Sequence, residues 1–379
     1  MANRILMSPP DVGELEQDYV LAALRSGWVA PAGPDLVAFE EEVAARVGVR
    51  YAVGLASGTA GLHLAQLVLG VQRDDVVIVP TMTFAATANA VTYVGARPCF
   101  VDASRSDGNI EAEAVAEAIT ALRAEGKRVA AVMPVDLLGR VCNYPRLLEV
   151  CRAADVPLIE DAAEALGASI SGKAAGSFGE AAVVSFNGNK IMTTSGGGML
   201  LTDNQRVADR VRFLSTQARE PVTHYEHKVV GYNYRLSNIL AALGRAQLAR
   251  LDSMIERRRA IRDQYRRVVD SLDGVDIFQG TNDQDDNFWL TSLMIDPKRS
   301  GFTAGELAAH LEASDIECRP LWKPMHMQPV FADAISFGGE DAQWLFENGV
   351  TLPSGSVHDI ETIDRVAEQI AAFAGRNAP

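Results

Sequence analysis

Between residues 51 and 201 the chain alternates short β-branched runs with amphipathic stretches of helical length. This is the pattern of a mostly parallel sheet covered on both faces. Seven strands are predicted, over residues 51–55, 76–79, 97–101, 129–135, 157–160, 181–185 and 199–201. Sheets of this kind bind ligands at the carboxyl ends of their strands, and Ser57, Asp161 and Ser185 each follow a strand closely, so they are placed to share one cleft. A long helical pattern covers residues 239–272, apolar at first and then charged at Glu256-Arg257-Arg258-Arg259. That arginine run reads as a solvated helix face rather than a nucleic-acid patch, because acids are interspersed with it. Beyond it, residues 288–295 read as a strand, 304–314 as a helix and 360–373 as a closing helix. The expected division is a large α/β domain with an N-terminal segment over residues 1–245, then a bridging helix and a small α+β domain over 246–379. No internal repeat interrupts the pattern.

Composition narrows the class. With 379 residues, 48% of them hydrophobic, the chain is long enough to bury a substantial core. Thirty-five basic residues against 49 acidic ones give a formal charge of -14, which argues against broad binding of nucleic acid or an anionic membrane. A phosphate ligand would therefore have to meet a small local cluster of donors. Cys99, Cys142, Cys151 and Cys318 show neither CxxC spacing nor partner histidines, so neither a metal site nor a disulfide framework is expected. No stretch has the length of a signal peptide or a membrane span, and the expected location is cytoplasmic, with reduced thiols.

The candidate chemistry gathers at predicted strand ends. Lys190 follows the strand at 181–185 and precedes Ser195-Gly196-Gly197-Gly198. An amine held at the mouth of a sheet suits Schiff-base chemistry, since a desolvated lysine gives up its proton more easily. Asp161 ends a neighbouring strand, in Ile159-Glu160-Asp161-Ala162-Ala163-Glu164. An amine and a carboxylate at adjacent strand ends are what pyridoxal phosphate needs, one for its aldehyde and one for its ring nitrogen. Asp161 reads equally well as a helix N-cap, and Glu164 as a surface acid of a first turn. Ser57-Gly58-Thr59 opens a helix whose free N–H groups attract an anion, or simply caps it.

Phe84 starts a helix where it can stack on a planar ring or join the core, and Ser185 can bind phosphate or cap its strand. His63, on the apolar face of the Thr59 helix, reads as a packed core residue. Two further segments are dense in donors and aromatics, Gly231-Tyr232-Asn233-Tyr234-Arg235 and Arg319-Pro320-Leu321-Trp322-Lys323-Pro324-Met325-His326. Each reads as a ligand contact or as an ordinary loop, and the second would suit an anionic sugar.

These segments in this order, together with Gly27-Trp28-Val29-Ala30-Pro31 and Leu352-Pro353-Ser354, resemble the DegT/DnrJ/EryC1/StrS nucleotide-sugar aminotransferases over nearly the whole chain. The resemblance implies fold type I of the pyridoxal phosphate enzymes, with a mostly parallel seven-stranded sheet between helices. It implies that Lys190 binds the cofactor and shuttles protons, Asp161 pairs with the ring nitrogen and Phe84 stacks on the ring. Gly58, Thr59 and Ser185 would hold the cofactor phosphate, with Ser57, Glu164 and Asn187 completing the set. Asn233 would reach that site from a second subunit, making the active unit a homodimer. Many family members carry glutamine at the position of Glu164, so the contact to the cofactor's phenolic oxygen is in question here.

Residues 187–198, 215–220 and 224–227, with Arg319 to Lys323, look most like the transaminases of bacillosamine biosynthesis. Those enzymes act on a UDP-linked 4-keto-6-deoxy-N-acetylhexosamine with L-glutamate as donor. GDP-linked (perosamine-type) and dTDP-linked keto sugars are the alternatives. Trp28, His224, Tyr225, Arg235, Arg319, Trp322 and His326 are the candidate substrate contacts, with Arg235, Arg319 or Lys323 offsetting the diphosphate. Three rival readings fit the residues less well. A non-catalytic cofactor-binding regulator would be free to lose Lys190 or Asp161, a sugar dehydratase of this fold resembles the family with histidine for the lysine, and a Rossmann nucleotide binder would need the missing GxGxxG.

Overall fold

The run Val76–Pro80 has no polar side chain, so a strand built from it must be covered on both faces. In the computed structural model, which describes residues 4–377, that strand lies inside a large sheet. The strands β1 (Tyr51–Leu55), β2 (Val76–Pro80), β3 (Arg97–Val101), β4 (Val129–Val132), β5 (Ile159–Asp161), β6 (Ala181–Ser185) and β7 (Gly198–Thr202) follow the predicted positions closely. Their order is β1-β7-β6-β5-β4-β2-β3, with β4 and β5 joined through the bridges Val132–Leu158 and Val135–Asp161. All are parallel except β7, which runs antiparallel between β1 and β6. The β4 ladder with β2 stops at Val132 rather than 135, because the next hydrogen bond would need an N–H from Pro80, which has none.

Side chains leave each strand alternately, so Val76 and Ile78 enter one apolar layer while Val77 and Val79 enter the other. Fully burying each such side chain is worth about 1.5–3 kcal/mol, enough to fix the register of the whole sheet.

Five more strands follow: β8 (Val275–Ile277), β9 (Thr291–Ile295), β10 (Arg319–Pro320), β11 (Ile335–Phe337) and β12 (Gly349–Leu352). Four form a small antiparallel sheet in the order β8-β9-β12-β10. The other, β11, returns to the large sheet and pairs parallel with β3, Ile335 opposite Cys99 and Phe337 opposite Val101. The large sheet thus has an eighth strand where seven are predicted. At three residues, none of them fully buried, β11 carries no periodicity to detect.

Three helices position the site: α1 (Gly58–Val68), α2 (Ala85–Tyr93) and α3 (Asn238–Val269). The Ser57 hydroxyl caps α1 by accepting from the Ala60 N–H at 3.0 Å, and Ser237 caps α3 through the Leu240 N–H. His63 is buried in α1 against Tyr93, Tyr232 and Tyr234, the packed role its apolar face predicts.

The charged stretch of α3 is solvated at Glu256 and Arg259, as predicted, but not throughout. Arg258 and Arg262 are buried, at 2% and 1% exposure. Arg258 donates to the carbonyls of Trp289 (2.6 Å) and Ser354 (3.0 Å), and Arg262 to the Leu290 carbonyl (3.1 Å) and the Thr291 hydroxyl (3.3 Å). The Trp289 and Leu290 carbonyls belong to a segment expected to be strand from residue 288. Because α3 takes them, and because Phe288 adopts a left-handed φ of 58°, the ladder starts only at Thr291. Among the described residues no helix is long and apolar enough to cross a membrane, and all four cysteines are buried free thiols.

Candidate active site

The parallel strands β1, β5 and β6 end on one edge of the sheet, and their ends open into a cavity of about 340 Å³. That volume suits a small cofactor with part of a substrate. Ser57, Gly58, Thr59, Phe84, Asp161, Glu164, Ser185, Asn187, Lys190 and Trp322 all line it. Small residues make the close approach possible. A Cβ on Gly58 would stand 3.1 Å from the Ser185 Cβ, and one on Gly198 would strike the Gly58 nitrogen at 2.4 Å. The N-terminus of α1 is thereby laid against the end of β6, with its first N–H groups and the hydroxyls of Thr59 and Ser185 facing one space.

Asp161 is 3% exposed and held from two sides. The Thr87 hydroxyl donates to Oδ2 at 2.7 Å and the Ala163 N–H to Oδ1 at 3.1 Å. Thr83 Oγ1 lies 2.8 Å from Thr87 Oγ1, so a buried pair of hydroxyls on the approach to α2 fixes the carboxylate. Burial pushes the Asp161 carboxyl up to about 6, and the Thr87 and Ala163 hydrogen bonds oppose that rise. A carboxylate so placed is stabilised by a cation brought beside it.

Lys190 sits opposite, its side chain 11% exposed. Nζ is 3.4 Å from Glu164 Oε1 and 3.9 Å from the centre of the Trp289 ring. The other oxygen of Glu164 accepts from the Leu138 N–H at 2.8 Å. Leu138 is held at a φ of 54°, which is strained for a branched side chain and persists because its neighbours over-determine it. Phe84 is 55% exposed, its ring edge-on to Trp322 with centroids 5.8 Å apart.

The remaining sequence candidates do not line the cavity. Arg235, expected as a free cation for substrate, is engaged elsewhere. Its guanidinium donates to Glu40 at 2.6 Å and to the Gly54 carbonyl at 2.9 Å. Arg235→Ala is expected to lower stability by about 2 kcal/mol in chemical denaturation, since partly buried Glu40 loses its nearer cation and keeps only Arg212 at 3.8 Å and the Gly54 N–H. Loss of nucleotide-sugar affinity with unchanged stability would contradict this. Arg319 is likewise taken, by Glu312 at 3.1 Å and Glu317 at 2.9 Å on the exposed surface. His326 turns its Nδ1 to Thr81 Oγ1 at 2.6 Å. Trp28, His224 and Asn233 are exposed, Asn233 accepting from Gln217 at 3.1 Å, and Tyr225 lies on the surface with Arg219 over its ring at 4.3 Å. Trp289, Thr83 and Thr87 line the cavity without having been singled out in the sequence. For the threonines the spacing of four residues at a helix entry was the available signal; Trp289 was hidden inside a predicted strand.

The residues fit pyridoxal phosphate. They offer an amine, a buried carboxylate in need of a cation, a flat aromatic face and a helix N-terminus cleared of Cβ atoms for a phosphate. Residues 10–371 match the DegT/DnrJ/EryC1/StrS aminotransferase family. EpsN of Bacillus subtilis (strain 168), named as a candidate pyridoxal phosphate-dependent aminotransferase, is 42% identical over 372 residues, covering 97% of this chain and 95% of its own. A GDP-perosamine synthase of Escherichia coli O157:H7 is 35% identical over 366 residues, 96% of this chain and 97% of that one. Among solved structures, DesI in the presence of its TDP-sugar product superposes with a TM-score of 0.90 at 30% identity, covering 99% of this chain and 94% of that one. With the site built as the family's chemistry requires, the chain belongs to the DegT/DnrJ/EryC1/StrS family and is a pyridoxal phosphate-dependent sugar aminotransferase.

Proposed function

We propose that the chain transfers an amino group from L-glutamate to the keto carbon of a nucleotide-linked 4-keto-6-deoxy sugar, with a UDP-linked N-acetylhexosamine as the first candidate. The observation that carries this reading is the Lys190 amine and the Asp161 carboxylate facing one cavity from neighbouring strand ends. When bound there, pyridoxal phosphate supplies an electron sink that lets a carbon beside nitrogen lose its proton. Asp161 keeps the ring nitrogen protonated, Phe84 covers one ring face, and the α1 N-terminus with Ser57, Thr59 and Ser185 holds the phosphate. Asn187 stands at the same rim. Lys190 Nζ takes the proton from the α carbon of glutamate in the first half-reaction. In the second it delivers a proton to the former keto carbon of the sugar.

Trp322 is the cavity-lining candidate for sugar contact. Trp28, His224, Tyr225 and Asn233 are assigned to a second subunit's site. Their exposure supports this, as does the run 221–230, where Val222, Tyr225, Val229 and Val230 are all exposed apolar side chains. A GDP-linked 4-keto sugar is the second reading, supported by relatives named as GDP-perosamine synthases at 34–36% identity. A panel of UDP-, GDP- and dTDP-linked keto sugars with glutamate discriminates the two. The expected result is a 4-amino product from the UDP substrate with kcat/KM at least about tenfold above the others, a difference of about 1.4 kcal/mol. Preference for the GDP sugar would move the assignment to the second reading.

A further inference from the structure

Trp289 has no part in the roles above, yet it is 1% exposed and lies directly under the catalytic amine. Its position is set from several sides. Its Nε1 donates to the Asn189 carbonyl at 2.7 Å, its backbone N–H to Asn287 Oδ1 at 2.9 Å, and its carbonyl accepts from the buried Arg258 at 2.6 Å. The Asn189 carbonyl, one residue before Lys190, also accepts from the Ser8 hydroxyl at 2.9 Å. Glu164 also reaches the amine, at 3.4 Å, its second oxygen anchored by Leu138. An ammonium group between an aromatic face and a carboxylate is held by both, and more strongly where water is largely excluded.

We propose that Trp289 and Glu164 form a seat for the Lys190 ammonium, occupied whenever the cofactor carries an amine in place of the lysine. The inference rests on Lys190 being the lysine that binds the cofactor. A glutamine at position 164 would offer the amine a dipole but no charge, so the departure at Glu164 acquires a purpose. The seat makes and breaks no bond. It acts by differential binding, because the lysine nitrogen is a free cation in one cofactor form and covalently committed in the other. Whatever favours the free cation draws the cofactor toward its pyridoxamine form and leaves the chain loaded for a keto sugar.

The test titrates the bound cofactor's absorbance against the ratio of glutamate to 2-oxoglutarate, with no sugar present. Glu164→Gln and Trp289→Leu are each expected to need about a tenfold higher ratio for half conversion to the pyridoxamine form, while Trp289→Phe, which keeps a ring face, shifts by less than about threefold. In the protein freed of cofactor, Lys190→Met and Glu164→Gln are expected to be non-additive in their denaturation midpoints. Unshifted midpoints in Glu164→Gln and Trp289→Leu, a Phe variant that moves as far as the Leu variant, or strict additivity would each overturn the seat. Should Trp289→Leu not fold, Glu164→Gln and Trp289→Phe carry the test. A Lys190→Ala protein that still titrates normally would instead refute the assignment of Lys190, which keeps the two failures apart.

Discussion

Replacing Lys190 with alanine is expected to abolish transamination, a fall of about 10⁴-fold or more, and to remove the visible absorbance that arises when cofactor and lysine are joined. The size of the effect follows from the lining of the cavity. Lys190 is its one lysine among the described residues, and no histidine or cysteine lines it. In the proposed reaction a single nitrogen both tethers the cofactor and carries the proton. Measured turnover above the level of free cofactor in solution would sink the assignment.

Asp161→Asn should split two properties that usually move together. Turnover is expected to drop by about 10³-fold, because a neutral amide cannot hold the ring nitrogen protonated. Stability without cofactor should improve at neutral pH. Burial raises the carboxyl to about 6 from an ordinary 3.8, so the folded chain holds this proton more tightly than the unfolded chain does. The group's contribution is fully present below the unfolded value and is lost as pH rises through the folded one. At 1.36 kcal/mol per unit, wild type should lose about 2.5 kcal/mol relative to the variant between pH ~4 and ~8. Asp136 is pushed up to about 7 by burial and, more weakly, by the Asp161 charge, so loss of that charge in the variant works in the same direction; Glu160, also raised by burial, titrates in both proteins. Urea unfolding of both cofactor-free proteins at the two pH values checks this; parallel curves would show that the buried carboxylate is not under strain.

The large sheet was legible because β-branched runs such as Val76–Pro80 announce burial on both faces. The strand-end chemistry was legible for the same reason, since Asp161, Ser185 and Lys190 inherit their places from strands that can be counted. What stayed hidden depends on partners distant in sequence. Nothing local says that Arg258 will be buried, because its partners at Trp289 and Ser354 lie 31 and 96 residues away. The same capture moves the start of β9 and turns Trp289 into the cavity. Arg235 sits away from the cavity for a related reason. A cation beside donors and aromatics looks free in a sequence, while its counter-charge, Glu40, lies 195 residues earlier.

The return of β11 to the edge of β3 also sets an order of events during synthesis. Cys99 and Val101 leave the ribosome well over two hundred residues before the segment that pairs with them, Ile335–Phe337. Until that segment emerges, one flank of the sheet offers unpaired N–H and C=O groups to any passing strand. The nascent chain therefore carries an open, sticky margin while those two hundred and more residues are made, and the margin closes only after Ile335–Phe337 has emerged.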